Sequence, residues 1–290
     1  MIYLLAALIS LGFFLLARAD AGASLSPDGR FYLSMGKGDP VPRPYSLRWL
    51  WPFLLGASPR AWEIVSGLAL VAWGPAFLFF LGAWGFSPAD GLKGVALLCG
   101  LPALFRLNSR FPILVDAPAF LLALASAGAA LSGRPASAAA LALLAGASKE
   151  SAPIFAAAFS LSPWPLLGLL AVGWWRRPGP IPGWASEWLS SPVRAARKVA
   201  LGSILDWKVM LLPWGLLAPL AVFAPWEGRA AWAAGLSLAL GYSSLALAQD
   251  RARLFSWAAP ALIVVALPAL PPSWAAAALL AHAFNPYRGV

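Results

Sequence analysis

The chain has 290 residues, 61% hydrophobic and 11% charged. A soluble globular domain carries about 25% charge, so most of this sequence is not built to face water. The net charge of +10 sits in connections between apolar runs, where it orients the chain and meets anionic headgroups rather than nucleic acid.

Taken in chain order, the apolar runs predict spans at Ile2–Ala17, Trp62–Leu81, Gly91–Phe105, Ile113–Leu131, Ala136–Ala147, Ala152–Leu161, Trp164–Trp175, Val209–Ala224, Ala230–Ala248, Phe255–Leu270 and Trp274–Phe284. The short alternating segments of an outer-membrane barrel are missing. The fold class expected is therefore all-α: a polytopic transmembrane helical bundle of about nine to eleven membrane helices with interfacial amphipathic helices. It forms a single integral membrane domain over 1–290. The first run has no basic segment ahead of it and reads as a retained helix rather than a signal peptide. Several runs fall short of the roughly 20 residues that a perpendicular span needs. Short helices at membrane depth require neighbouring protein or a wet cavity to satisfy their backbone.

Two connections stand out by length, 18–61 and 176–208. The first contains "RPYSLRWLWPFLLG", in which Tyr45, Trp49 and Trp51 mix with Arg43 and Arg48. It reads as an interfacial helix with aromatics at headgroup depth and guanidiniums outward. The second contains "SPVRAARKVALGSILDW". Ser191 caps it, Pro192 takes the first helical position, and Arg194, Arg197 and Lys198 share a face.

Chemistry must come from few residues. The one histidine, His282, makes a histidine-based triad or metal site improbable, and no Walker-type phosphate loop is present. Ionisable groups near span ends are costly and often functional. Asp28, in "SPDGRFYL", has two readings: a turn residue in Pro27-Asp28-Gly29, or a surface carboxylate able to take a proton from a hydroxyl. Asp20 and Asp39 are weaker alternatives. In "FRLNSRFPILVDAPAF", Arg106, Arg110 and Asp116 are either flanking charge and a helix start or a second acidic position. Counting spans places Asp28 and Asp116 on the same face. Lys149 and Glu150 interrupt apolar sequence; neighbours on a helix do not face each other, so two short helices meeting at a water-exposed turn are expected. That turn puts Lys149, and the later Asp250, Arg251 and Arg253 of "QDRARLFSWAAP", on the Asp28 side. It also puts the basic 176–208 connection there, against the positive-inside tendency. One continuous helix over Ala136–Leu161 would reverse this and carry Arg251 away from Asp28.

In this order, the long first loop with "PDGRFYL" and "PYSLRWLWP", the "RLNSRFPILVD" connection, the "SKES" break and "QDRARLFSWAAP" resemble the C-type glycosyltransferase superfamily. These polytopic enzymes draw sugars from polyprenyl-phosphate carriers. The resemblance covers most of the chain through motif order rather than one decisive motif. It implies Asp28 as general base for an acceptor hydroxyl and Asp116 as a second acid that positions acceptor or metal. Arg251 or Arg253 would hold the lipid phosphate, with Lys149, Arg48, Tyr32, Glu150 and Asp250 as further candidates for the phosphate or sugar. The partners implied are a polyprenyl-phosphate sugar, membrane lipids and a glycan, lipid or protein acceptor, in a prokaryotic plasma membrane with the site extracytoplasmic. Two departures stand out: Asp28 is followed by Gly29 rather than a second acid, and there is no room for a soluble C-terminal domain. No cofactor is assigned, and a divalent metal stays open. A transporter or flippase for a lipid-linked or anionic substrate is the alternative; related halves, which it should show, are not detectable.

Overall fold

The computed structural model describes residues 1–21, 23–172, 217–245 and 256–270, together with positions 191, 193, 194, 197 and 214. Every regular element among them is helical. Three helices begin the same way. Ser26, Ser58 and Ser87 are extended N-caps whose side chains accept from the backbone N–H three residues on, and each is followed by Pro at the first helical position. The cap satisfies an orphan donor and the proline presets the helical φ.

Helix α1 covers Ile2–Ala21, α2 Pro27–Lys37, α3 Leu50–Leu55 and α4 Pro59–Ala83. Next come α5 at Pro88–Cys99, α6 at Leu107–Arg110, α7 at Asp116–Leu131, α8 at Pro135–Ser148 and α9 at Ala152–Ser160. A 3₁₀ segment, Trp164–Ala171, follows α9. The later described helices are α10 at Leu217–Phe223, α11 at Gly228–Leu245 and α12 at Ala259–Ala266.

Among the described residues two helices, Ile2–Ala19 within α1 and Pro59–Ala83, are long and apolar enough to cross a membrane. A third span exists if α5 and the segment Leu104–Arg110, bent by 61°, count together. At 1.5 Å per residue the 25-residue α4 is about 37 Å long, whereas the nine-residue α9 reaches only about 14 Å. Other apolar helices are as short or shorter, such as α10 at seven residues and α12 at eight. The expected third span, Gly91–Phe105, is not continuous: α5 ends at Cys99, and Pro102–Arg106 forms a π-type turn where Pro102 cannot continue the ladder. The run at Trp274–Phe284, with His282, lies outside the described residues, as does most of the basic 176–208 connection.

Helix α4 is the central strut between α1 and α7, and α8 packs on the other side of α7. In lipid there is no hydrophobic drive between helices, so close packing and interhelical hydrogen bonds hold such a bundle. Both are present. A side chain on Gly74 of α4 would collide with the backbone of Ala6 and with Ser10 on α1, so glycine sets that separation. Trp73, Phe77, Phe80, Phe105, Phe120, Phe155, Phe159 and Trp257 form a buried aromatic core. The Trp73 indole donates to Ala117 O at 2.8 Å, and Ser126 Oγ ties α7 to Ala138 O of α8 at 2.8 Å.

Candidate functional site at one end of the bundle

The C-terminal end of α1, all of α2 and α3, the start of α4, the 107–116 connection, the end of α8 and the start of α9 gather at one end. One backbone contact and two from the Arg18 side chain fix this meeting. Ser24 N–H donates to Arg110 O at 2.8 Å, and Arg18 reaches Ser109 O at 3.0 Å and Glu63 at 3.4 Å.

Asp28 does not sit in a turn. It occupies the first turn of α2, behind the Ser26 cap and Pro27, where a carboxylate is favoured by the helix dipole. Gly29 lies so close to Ile113 O that a Cβ would meet it at 2.9 Å. This contact presses the start of α2 against the segment leading into Asp116. Asp28 is half-buried, and its Oδ1 accepts from Tyr45 Oη at 2.8 Å. The Tyr45 ring stacks on Phe31, with centroids 4.5 Å apart and planes at 21°.

The juxtamembrane stretch differs from one interfacial helix. It forms a short 3₁₀ turn, Tyr45–Leu47, and then α3, with Arg48 and Trp49 between them. Arg48 does not point outward: it is 6% exposed. Its Nε and Nη2 donate to the two Glu150 oxygens at 2.8 and 2.7 Å, and its Nη1 donates to Tyr32 Oη at 2.8 Å. This two-point fork is the strong geometry for guanidinium and carboxylate. Burial by itself would lower the Arg48 pKa, but the charge of Glu150 and the hydrogen bonds to Glu150 and Tyr32 together outweigh it and hold the guanidinium firmly charged. Burial would likewise raise Glu150; the charge and hydrogen bonds of Arg48, with the nearby Lys149 charge, together outweigh it and lower that carboxyl below its ordinary value. Burial pushes the Tyr32 phenol upward, so Tyr32 stays protonated.

The flanking indoles also turn inward. Trp49 Nε1 donates to Ala171 O at 3.0 Å, and Trp51 Nε1 to Ser148 Oγ at 2.8 Å. The stretch therefore straps α2 to α8 and to the 3₁₀ segment after α9. Gly36 of α2 meets Gly56 backbone to backbone, and any Cβ there would overlap it.

Helix α8 ends at Ser148 and α9 begins at Ala152, so one continuous helix over Ala136–Leu161 is not what forms. The break is not open to water at Lys149, which is 1% exposed. Its ammonium pairs with the equally buried Asp116 and lies 4.7 Å from the Trp257 ring centroid. Lys149 and Glu150, adjacent in sequence, thus serve different partners, Asp116 on α7 and Arg48 in the strap.

Six of the residues singled out by sequence, Asp28, Tyr32, Arg48, Asp116, Lys149 and Glu150, come together in this cluster. Arg251, Arg253 and Asp250 lie outside the described residues. Arg106 and Arg110 flank the short α6 at the same end. Asp39 lies beyond the α2 C-cap Gly38 and is exposed. Sequence reasoning missed Tyr45, Trp51 and Trp257 as members of the cluster. The only hint was the density of polar-tipped aromatics around Arg48 and Trp257, since such tips need partners when buried.

Among the described residues no group of three or more His, Cys, Asp or Glu could hold a metal ion. Asp116 faces the Lys149 ammonium, which disfavours a second cation there. No protein-family model, characterised protein or solved structure matches this chain. What is established is that the regular structure among the described residues is all helical, with two or three helices long and apolar enough to cross a membrane, and that a buried polar cluster sits at one end of the bundle.

Proposed function

We propose that the chain is a membrane glycosyltransferase of the C-type kind, built as a polytopic bundle. It moves a sugar from a polyprenyl-phosphate carrier to an acceptor hydroxyl at the extracytoplasmic membrane surface. The observation that carries this reading is the convergence of Asp28, from the first connection, with Asp116 and the Lys149–Glu150 break at one end of an apolar bundle. Glu150 has both oxygens engaged by Arg48 and Asp116 is 1% exposed. Asp28 is the half-exposed carboxylate, on a connection between two membrane-length helices.

In the transfer step the acceptor oxygen attacks the anomeric carbon from the face opposite the phosphate. Its proton passes to the Asp28 carboxylate. The bond from the anomeric carbon to the phosphate oxygen breaks, and its electron pair leaves with the polyprenyl phosphate, so the configuration inverts. A base for the hydroxyl and cations for the departing phosphate are the two requirements of such a step. Asp116 and Lys149, sealed from solvent, are positioning residues that fix the ends of α7 and α8 beneath the site. Arg48 and Glu150 do the same for the strap.

Purified protein in liposomes, given polyprenyl-phosphate sugars and acceptor alcohols, tests this directly. A new glycosidic bond that depends on the lipid-linked donor supports the enzyme. Passage of the intact lipid-linked sugar across the bilayer without a new bond supports a transporter and overturns it.

A further inference from the structure

Tyr45 is the point at which the strap touches the proposed base. Its hydroxyl donates to Asp28 Oδ1 at 2.8 Å, and both side chains are half-buried. Three contacts fix the ring that carries this hydroxyl. It stacks on Phe31 with centroids 4.5 Å apart, meets Tyr32 edge-on at 5.8 Å, and has the Arg48 guanidinium over its face at 5.7 Å. Asp28 and Phe31 stand three apart on α2 and so share one helix face, which gives base and ring a common support.

The cation on that ring is the one that forks onto Glu150 and donates to Tyr32 Oη. Tyr45 and Arg48 also close the same 3₁₀ turn, with the Arg48 N–H donating to Tyr45 O at 2.9 Å. A shift of the fork therefore carries Tyr45 with it. A phenol donating to a carboxylate restricts its rotation and favours its ionised form. A guanidinium on the face of the phenol polarises the ring and strengthens the O–H as donor.

We propose that Tyr45 is the positioning residue for the Asp28 base, and that the Arg48–Glu150 fork acts on Asp28 through it. This rests on the glycosyltransferase reading, in which a docked strap is what aims the base at the acceptor hydroxyl. Around Asp28, α2 itself brings Arg30 and Tyr32, the strap Arg43 and Arg48, and the 107–116 connection Arg110 and Asp116; α3 carries no ionisable side chain. Tyr45→Phe leaves each of these in place and keeps the stacked ring, so a change at Asp28 reports the hydroxyl.

Dicyclohexylcarbodiimide, an apolar reagent, adds to a carboxyl group in its protonated form. Labelling of Asp28 in the full chain in detergent, read by mass spectrometry of its peptide across a pH series, follows its proton affinity without turnover. Loss of a donor that favours the carboxylate lets Asp28 hold its proton to higher pH. In Tyr45→Phe the half-labelling pH should rise by about one, as expected for one hydrogen bond to a charged group. Arg48→Lys keeps the positive charge but not the fork; it should raise the half-labelling pH by less, and add nothing in the Tyr45→Phe background. Trp51→Phe, which frees the strap from Ser148 without touching a charge, should do the same. In liposomes Tyr45→Phe should slow transfer by about tenfold at saturating donor, with the donor KM unchanged. A wild-type half-labelling pH in Tyr45→Phe overturns the proposal. A rise from Arg48→Lys or Trp51→Phe that persists undiminished in the Tyr45→Phe background overturns the link to the fork. A raised half-labelling pH without sugar transfer leaves the Tyr45–Asp28 link standing while the transfer reading fails. Transfer at the wild-type rate by Tyr45→Phe, with the half-labelling pH unmoved, does the reverse.

Discussion

Replacing Lys149 by Met should be among the most damaging single changes in this chain. Lys149 and Asp116 are each 1% exposed, so Lys149→Met leaves a carboxylate deep in the bundle opposite a thioether. Removing one partner of a buried ion pair costs about 3–5 kcal/mol, because the survivor keeps its desolvation penalty and loses its compensation. Loss of the Lys149 contact with the Trp257 face adds about 0.5–2 kcal/mol. The double variant is the sharper case. Lys149→Met with Asp116→Leu removes both charges, and replacement of a whole buried pair by apolar residues is often neutral. The double variant should therefore recover most of the loss, with a coupling of about 2–3 kcal/mol between the two positions. Unfolding free energies in mixed micelles, followed by tryptophan fluorescence, measure all four corners of the cycle. A Lys149→Met protein as stable as wild type, or a double variant whose loss equals the sum of the singles, would refute the buried-pair account.

Other outcomes follow from the same geometry. Glu150 has a lowered pKa in the folded chain, so its contribution to stability is fully present above its ordinary value of 4.5. That contribution is lost as pH falls through the lowered value; Glu150→Gln should flatten this acid-side loss in an unfolding-midpoint series. Ser26→Ala removes the cap of α2 and should cost about 1 kcal/mol, whereas a Gly36→Val side chain has no room against Gly56. The latter should expose the strap to limited proteolysis near residue 56. In a Cys99→Ser background, Lys37→Cys should react with a membrane-impermeant maleimide in intact cells, while Ala89→Cys, exposed at the opposite end, should not. The reverse pattern would place the cluster on the cytoplasmic side.

How much of this was legible depended on whether a feature is local. The Ser-Pro starts at 58–59 and 87–88 are local signals with a local cause, and the helices begin there. The same signal stands at Ser26-Pro27, yet the turn chemistry of Pro-Asp-Gly competes with it in sequence. Helix α2 wins because Gly29 is wanted for its closeness to Ile113 O, a contact no local rule reports. The break at Lys149 was legible because adjacent opposite charges cannot serve each other on a helix. Their partners were not, since Glu150 meets Arg48 across 102 positions and Lys149 meets Asp116 across 33. For the same reason Arg48 reads as an outward anchor in sequence and proves to be an inward strut. Span number was the least legible quantity: apolar composition marks most helices of this bundle, but length separates α1 and α4 from the shorter apolar helices packed around them.

The central claim is that Asp28 accepts the acceptor proton during transfer from a lipid-linked phosphate. Single-turnover transfer in liposomes, with donor saturating, measures it with binding removed from the rate. Asp28→Asn should slow the step by about 10²–10⁴-fold, the usual weight of a positioned base, while Asp28→Glu retains part of the rate and both variants stay folded, losing no more than about 0.3–1 kcal/mol, the worth of a carboxylate at a helix start. An Asp28→Asn protein that transfers sugar at the wild-type rate would show that Asp28 is not the base.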